Sequence, residues 1–444
     1  MDFFHLISLG CAKNLVDSEV MLGSMTAGGW QLSDDPEAAD VLILNTCGFI
    51  QTAVEEAIAE IFELVRIKEA YPEKCIVVVG CLVQRYKEQL SVDLPEVDLF
   101  IGTEGAADIA GIIDNLLHGN LENRVILPDS FLMTSKTPRV ISTPSFRAWL
   151  KITEGCDNRC SYCMIPAIRG GLRSRTIEDL VLEAKQLEQN GVKELSLIAQ
   201  DSTAYGRDQG GDSRLEDLLH QLLGRTTIPW LRLLYLYPTG VSEELLHIMA
   251  DNCRIVPYLD IPMQHVSDKI LRSMNRRYTG DNLLQIVEKA RNIVPDIALR
   301  TTFLVGFPGE SEQEFLEIES FIRKIKLEHV GVFPYANEEG APSERFAGQV
   351  PEAEKLRRRD YILAVQRELS AENQKKYIGR LEPVLIEGLS AETDLLLEGR
   401  TRFQAPEVDG CIYINDGIAN PGDIVNVRIT ETQVYDLVGE IVPQ

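Results

Sequence analysis

Apolar residues gather in three short runs near the amino terminus, and the runs share one grammar. Residues 4–9 lead into Gly10-Cys11, residues 41–44 into Asn45-Thr46-Cys47, and residues 76–79 into Gly80-Cys81. Each run is short, rich in β-branched side chains and bounded by turn formers, which predicts buried parallel strands. Apolar positions between them recur at helical spacing, as over residues 52–67. This alternation predicts an open parallel α/β sheet. Ligands bind such sheets beyond the strands' carboxyl ends, so Cys11, Cys47 and Cys81 are expected to converge at one edge. The alternative is three unrelated buried cysteines acting as small apolar side chains. Cys75 opens its strand instead of closing it and is expected in the core.

Residues 122–146 lose periodicity and contain Pro128, Pro138 and Pro144, which predicts a linker. A second alternation follows. Strands are expected at residues 149–153, 194–199, 231–237, 258–261, 298–305 and 330–335, and helices at 177–189, 215–223, 243–251, 280–293 and 311–325. Six such units predict a (β/α)6 partial TIM barrel with its site at the strand carboxyl ends. Residues 352–376 read as a long charged helix. Beyond it, short alternating runs at 383–386, 412–414, 424–429 and 435–438 predict a small antiparallel β-barrel. The expected domains are 1–140, 141–375 and 376–444.

Composition narrows the function classes. The amino terminus has no basic start and no apolar run of signal length, and no stretch reaches the roughly 18 apolar residues of a membrane span. A soluble, cytoplasmic protein with no membrane partner is expected. The formal net charge is −24, which disfavours nucleic acid as the primary partner and favours a basic protein surface. Nine cysteines in a long chain read as metal ligands or catalytic groups before they read as a disulfide framework. Cys253 and Cys411 are expected in cores.

Gly155-Cys156-Asp157-Asn158-Arg159-Cys160-Ser161-Tyr162-Cys163 follows the first expected barrel strand. Three thiolates this close can take three corners of a cubane iron–sulfur cluster, leaving one iron open to chelate a small molecule. Structural zinc is the competing reading, but it wants four ligands and no fourth cysteine or histidine lies nearby. Arg169, Arg173 and Arg175 form a basic loop beside this motif, suited to clamping a carboxylate or simply solvated. Gln200 ends the second strand and could reach a bound ligand. His265 follows the fourth strand, where it either lines the cavity or serves the structure.

The CxxxCxxC loop on this strand resembles the radical S-adenosylmethionine superfamily. The resemblance implies a 4Fe–4S cluster that donates an electron to S-adenosylmethionine and yields a 5′-deoxyadenosyl radical. It also implies that Tyr162 lies near the adenine and that Gly306-Phe307-Pro308-Gly309-Glu310 matches a late glycine motif near the nucleoside, with Gly306 and Glu310 as contacts. No side chain is assigned as catalytic, because the clusters carry the chemistry. The segments Ser8-Leu9-Gly10-Cys11-Ala12-Lys13-Asn14-Leu15-Val16-Asp17-Ser18-Glu19, Asn45-Thr46-Cys47-Gly48-Phe49-Ile50 and Gly80-Cys81 further resemble the methylthiotransferase family over nearly the whole chain. That implies a second 4Fe–4S cluster on Cys11, Cys47 and Cys81, which carries the sulfur, and a TRAM barrel at the carboxyl end. An electron donor such as flavodoxin or ferredoxin is implied as well.

Two branches of that family differ in substrate. One modifies isopentenylated adenosine in transfer RNA, the other the β-carbon of an aspartate in the twelfth protein of the small ribosomal subunit, free or ribosome-bound. Lys13 stands where the RNA branch usually has methionine, and Glu338-Glu339-Gly340 where it usually has Arg-Pro-Gly. Residues 376–444 hold five basic and twelve acidic side chains, a poor charge for gripping RNA and a good one for a basic ribosomal protein. The ribosomal branch is therefore expected, with the tail barrel docking the partner and presenting its aspartate over the radical barrel. Where that branch reads Tyr-Ser-x-Glu-Glu-Gly-Thr, this chain has Tyr335-Ala336-Asn337-Glu338-Glu339-Gly340-Ala341, two hydroxyls fewer. A non-catalytic protein with structural zinc is the reading from a different class.

Overall fold

In the computed structural model, which describes residues 2–210 and 214–443, the amino-terminal strands are β1 (Phe3–Ser8), β2 (Gln31–Leu32), β3 (Val41–Thr46), β4 (Cys75–Gly80), β5 (Leu99–Ile101) and β6 (Val125–Ile126). They form one parallel sheet in the order β2-β1-β3-β4-β5-β6. Every residue of β3 and β4 is buried. Successive side chains of a strand point to opposite faces, and the core divides accordingly. Val41, Ile43, Val77 and Val79 pack with Val16, Val20 and Met25 of helix Ala12–Ala27, whereas Leu42, Leu44, Ile76 and Val78 pack with Val54, Ile61 and Leu64 of helix Gln51–Ala70. Cys75 is buried as expected. The two- and three-residue strands β2, β5 and β6 are too short to show a period. The linker expected over 122–146 is not loose: β6 lies inside it, Met133 is buried, and the Arg139 guanidinium pairs with Glu19 and Glu183 at 2.6 and 2.5 Å.

The second sheet is the expected partial barrel. It contains β7 (Arg147–Lys151), then, after the small antiparallel ribbon of β8 (Thr153–Glu154) and β9 (Arg173–Ser174), β10 (Glu194–Ile198), β11 (Trp230–Leu233), β12 (Ile255–Asp260), β13 (Ala298–Val305) and β14 (His329–Pro334). The order is β14-β13-β12-β11-β10-β7, all parallel. Strand β11 stops short of the expected residue 237 because Tyr235 adopts φ +59° and turns the chain out of the sheet. Cys253, expected in a core, is exposed, since it lies in the turn between helix Glu243–Asp251 and β12.

Helix Glu352–Gln374 lays Ile362, Val365 and Leu369 on the barrel core. It leads to a closed five-stranded barrel of β15 (Leu381–Leu389), β16 (Leu397–Thr401), β17 (Ile412–Asp416), β18 (Ile424–Thr432) and β19 (Leu437–Ile441). Its pairings are antiparallel except β17–β19, which runs parallel because β18 intervenes in sequence but pairs with β15. Cys411 sits just before β17, partly exposed.

The small barrel closes the amino end of the large one. Glu194, the first residue of β10, pairs with Arg232 at 2.6 Å and with Arg400 at 2.5 Å. Asp409 accepts a hydrogen bond from the Tyr258 hydroxyl at 2.7 Å and approaches Arg300 at 3.7 Å. The tail barrel, expected to dock the partner, thus sits at the strand end opposite the site. No helix of the described residues is long and apolar enough to cross a membrane.

Candidate functional site

The motif polar residues are buried, and buried polar groups need partners. Asn14 donates to the Leu9 carbonyl at 2.5 Å, Asn45 to the Asn14 carbonyl at 2.9 Å and to Ser18 at 2.8 Å, and Thr46 to the Val79 carbonyl at 2.6 Å. These bonds tie the loops after β1, β3 and β4 into one edge. Gly10 allows the approach, with φ +98° and a Cβ position only 2.9 Å from the Cys47 Cβ. Across from this edge, Cys156, Cys160 and Cys163 lie on the loop between β8 and β9. Gly155 starts that loop at φ +70°, with the Gly171 carbonyl 2.0 Å from where a Cβ would stand.

All six cysteines line one cavity of about 350 Å³ between the sheet edge and the barrel mouth. Lys13, Arg169, Tyr162, Gln200, Tyr235 and Arg276 are among its other walls. Asp17 bridges the two halves: it pairs with Arg169 at 2.7 Å and with Lys151 at the end of β7, and Lys151 also holds Glu154.

One buried arginine faces each cysteine trio. Arg169 donates to the Cys81 sulfur at 3.2 Å and Arg276 to the Cys160 sulfur at 3.5 Å. Burial raises the Cys81 thiol to about 11 against the pull of Arg169, and raises Cys47 too. Burial likewise lifts Cys156 to about 11 and Cys163 to about 12. At Cys11 the desolvating surroundings are outweighed by Lys13, the Asn14 backbone N–H and Arg169, and the thiol falls below its ordinary range.

The six thiols, Tyr162, Gln200 and Arg169 are brought together. The Gln200 side-chain oxygen is buried and accepts no hydrogen bond from the described residues. The other candidates lie elsewhere. Arg173 is paired with Glu104 at 2.8 Å, and Arg175 with Asp179 and Glu183 at 2.7 and 2.6 Å, so neither is free to clamp a substrate. Glu310 turns inward, accepting from the Gly306 and Phe307 backbone N–H groups and pairing with Arg358 at 2.7 Å. Gly306 packs against the Lys355 side chain. Both therefore shape the end of β13 without lining the cavity. His265 is fully buried, with its Nε2 3.5 Å from Glu310, and serves the structure. Sequence reading missed Arg276, whose neighbours Asn275 and Arg277 carry no motif, and the buried polar web of Asp17, Lys151 and Glu154.

Glu338 gives the Glu-Glu-Gly segment a physical role. Its carboxylate pairs with Arg85 at 2.9 Å and accepts from the Gln51 backbone N–H at 2.8 Å. It thereby joins the loop after β14 to helices Cys81–Tyr86 and Gln51–Ala70.

Residues 4–102 match the uncharacterized protein family UPF0004, residues 150–322 the radical SAM superfamily and residues 378–442 the TRAM domain. Among solved structures, the radical S-adenosylmethionine methyltransferase TsrM from Kitasatospora setae superposes with a TM-score of 0.56 at 15% identity, over 75% of this chain and 73% of that one. The cobalamin-dependent S-adenosylmethionine radical enzyme OxsB gives 0.53 at 14% identity, over 82% and 56%. Such distant likenesses speak to the fold alone. Fold, cysteine loop and family match together define a radical S-adenosylmethionine protein, a class that implies a 4Fe–4S cluster and S-adenosylmethionine.

The full-length relatives are more specific. A ribosomal protein uS12 methylthiotransferase RimO from Desulfotalea psychrophila is 61% identical over 99% of both chains. Proteins of the same name from an Anaeromyxobacter species and from Syntrophus aciditrophicus are 48% and 46% identical, over 99% of this chain and 93% and 98% of theirs. The chain belongs to the RimO family of methylthiotransferases.

Proposed function

We propose that the protein inserts a methylthio group at the β-carbon of an aspartate in ribosomal protein uS12. The observation that carries this reading is the opening of two thiol trios, from two different sheets, onto one cavity. Cys156, Cys160 and Cys163 would hold one 4Fe–4S cluster, and Cys11, Cys47 and Cys81 a second. Soft thiolates are the donors such clusters use, and the buried Arg169 and Arg276 offset the negative charge they bring. The chemistry these groups supply is reductive cleavage of S-adenosylmethionine and a sulfur for transfer. Tyr162 and Gln200, which line the cavity, would contact S-adenosylmethionine, and the cavity walls would keep water away from it. Residues 1–140, 141–375 and 376–444 would act as cluster, radical and TRAM domains in the cytoplasm, with flavodoxin or ferredoxin as electron donor.

The protein substrate is supported by the tail barrel's electrostatics. Two of its few cations are committed to internal ion pairs, Arg400 with Glu194 and Glu387 and Arg402 with Glu382, so little positive surface remains for RNA. Peptide mass spectrometry of uS12 from strains with and without the gene tests the reading. A methylthio-aspartate that disappears on deletion is expected. An unchanged uS12, with methylthio-adenosine missing from transfer RNA instead, would overturn it.

A further inference from the structure

The cavity has three cationic walls, Lys13, Arg169 and Arg276. Arg169 is engaged by Asp17, Asn14 and Cys81 at 2.7, 3.2 and 3.2 Å. Arg276 is held by the Tyr278 hydroxyl and the Pro262 carbonyl, both at 2.5 Å, and by Cys160. Lys13 differs: among the described residues no carboxylate lies within ion-pair distance of its ammonium group. Asp260 is the acid that acts on it from further away, but one of its oxygens pairs with Arg300 at 2.9 Å and the other accepts from the Tyr235 backbone N–H at 3.2 Å.

The Lys13 Nζ rests 3.4 Å from the centroid of the Tyr235 ring. A ring face attracts an ammonium group and still leaves N–H donors for an incoming acceptor. Tyr235 is itself held at φ +59°, a conformation non-glycine residues rarely adopt. The anion beside it is the Cys11 sulfur, which it shares with Arg169; with no carboxylate of its own, a buried ammonium at a cavity wall still has room for an incoming one. S-adenosylmethionine would be held beside the Cys156 trio, which lines the opposite wall.

We infer that Lys13 receives the side-chain carboxylate of the substrate aspartate and holds the adjacent β-carbon on the sulfur-bearing side of the cavity. The inference rests on the proposed function and names the group that selects its substrate. The alternative role for Lys13 is to offset thiolate charge on the Cys11 trio with no contact to substrate.

The two roles separate by substrate charge. Holoenzyme is given a peptide spanning the uS12 target loop, and the same peptide with asparagine in place of the target aspartate. Asparagine keeps the β-carbon and the size but loses the charge. Wild-type enzyme should prefer the aspartate peptide by about 10- to 100-fold in kcat/KM, the range of a charge-assisted hydrogen bond. Lys13→Gln should bring that ratio to within about threefold of one, mostly through KM, and Lys13→Arg should retain most of it. The ratio is taken within each enzyme, so a general loss of cluster or stability cancels. A Lys13→Gln ratio equal to wild type would overturn the inference, and so would a wild-type ratio near one, which needs no variant to fold. If wild-type enzyme modifies neither peptide nor intact uS12, it is the proposed function that fails.

Discussion

At the scale of single residues, thiols with one sequence signature sit in different electrostatic settings. Cys11 is the sulfur that Lys13 and Arg169 together hold toward the thiolate, whereas burial dominates at Cys81 and Cys163. To hold iron, as proposed, all six would have to be deprotonated. With one cluster on each trio, replacing one cysteine of one trio should therefore remove that trio's cluster and spare the other. Cys47→Ala is expected to keep about half of the wild-type iron after anaerobic reconstitution, and Cys253→Ala, an exposed cysteine remote from the cavity, all of it. Iron and sulfide analysis decides, and equal iron in wild type and Cys47→Ala would exclude Cys47 as a ligand. The thiols were legible because a turn after each strand fixes where the next side chain goes. Arg276 was not, because it meets Cys160 across 116 residues of chain and nothing local marks the meeting. Arg173 misled for the same reason, since Glu104 lies 69 residues away, whereas the Arg175 pair with Asp179 is a local i, i+4 contact that sequence spacing could have signalled.

At the scale of elements, most helices of the barrel announced themselves. Thr176, Ser242, Thr279 and Ser311 each cap a helix with the side-chain oxygen, a local signal that sequence carries in full. Joints between elements carry no such signal. Glu338 and Arg85 form one, with side chains only 2% and 5% exposed. Removing one partner of a buried pair leaves the other uncompensated and costs about 3–5 kcal/mol, against at most ~1 kcal/mol for an exposed pair. Glu338→Ala should thus lower the unfolding free energy by several-fold more than Glu243→Ala, whose pair with Lys289 is 63% and 43% exposed. Urea titration of both variants measures the contrast, and equal losses would show that the joint carries no special energy.

At the scale of the whole molecule, the barrel is closed by different domains at its two ends. The amino-terminal sheet edge faces the strand carboxyl ends and completes the cavity, while the small barrel seals the amino ends through Glu194, Arg232, Arg400 and Asp409. The seal is electrostatic at its centre and apolar around it, since Trp149, Trp230 and Tyr258 share one core patch with Val384 and Ile386 of β15. Burial opposes the Glu194 carboxylate, but Arg400 and Arg232 outweigh it and hold its pKa down at about 2, from an ordinary 4.5. A carboxyl held low in the folded state contributes fully above its unfolded value, loses that contribution as pH falls through the window, and contributes nothing below the folded value. Glu194→Gln should therefore cost about 3 kcal/mol at neutral pH, the lower end for a broken buried pair because Arg400 keeps Glu387 at 3.0 Å. The gap between wild type and variant should then narrow from about pH 4.5 downward and close near pH 2. Tryptophan fluorescence during urea unfolding reads it, because Trp149 and Trp230, two of the chain's three tryptophans, belong to the core that the small barrel shares. A gap that stays constant across that acid range would mean that Glu194 holds the two barrels together by shape and hydrogen bonding, and that its charge contributes nothing.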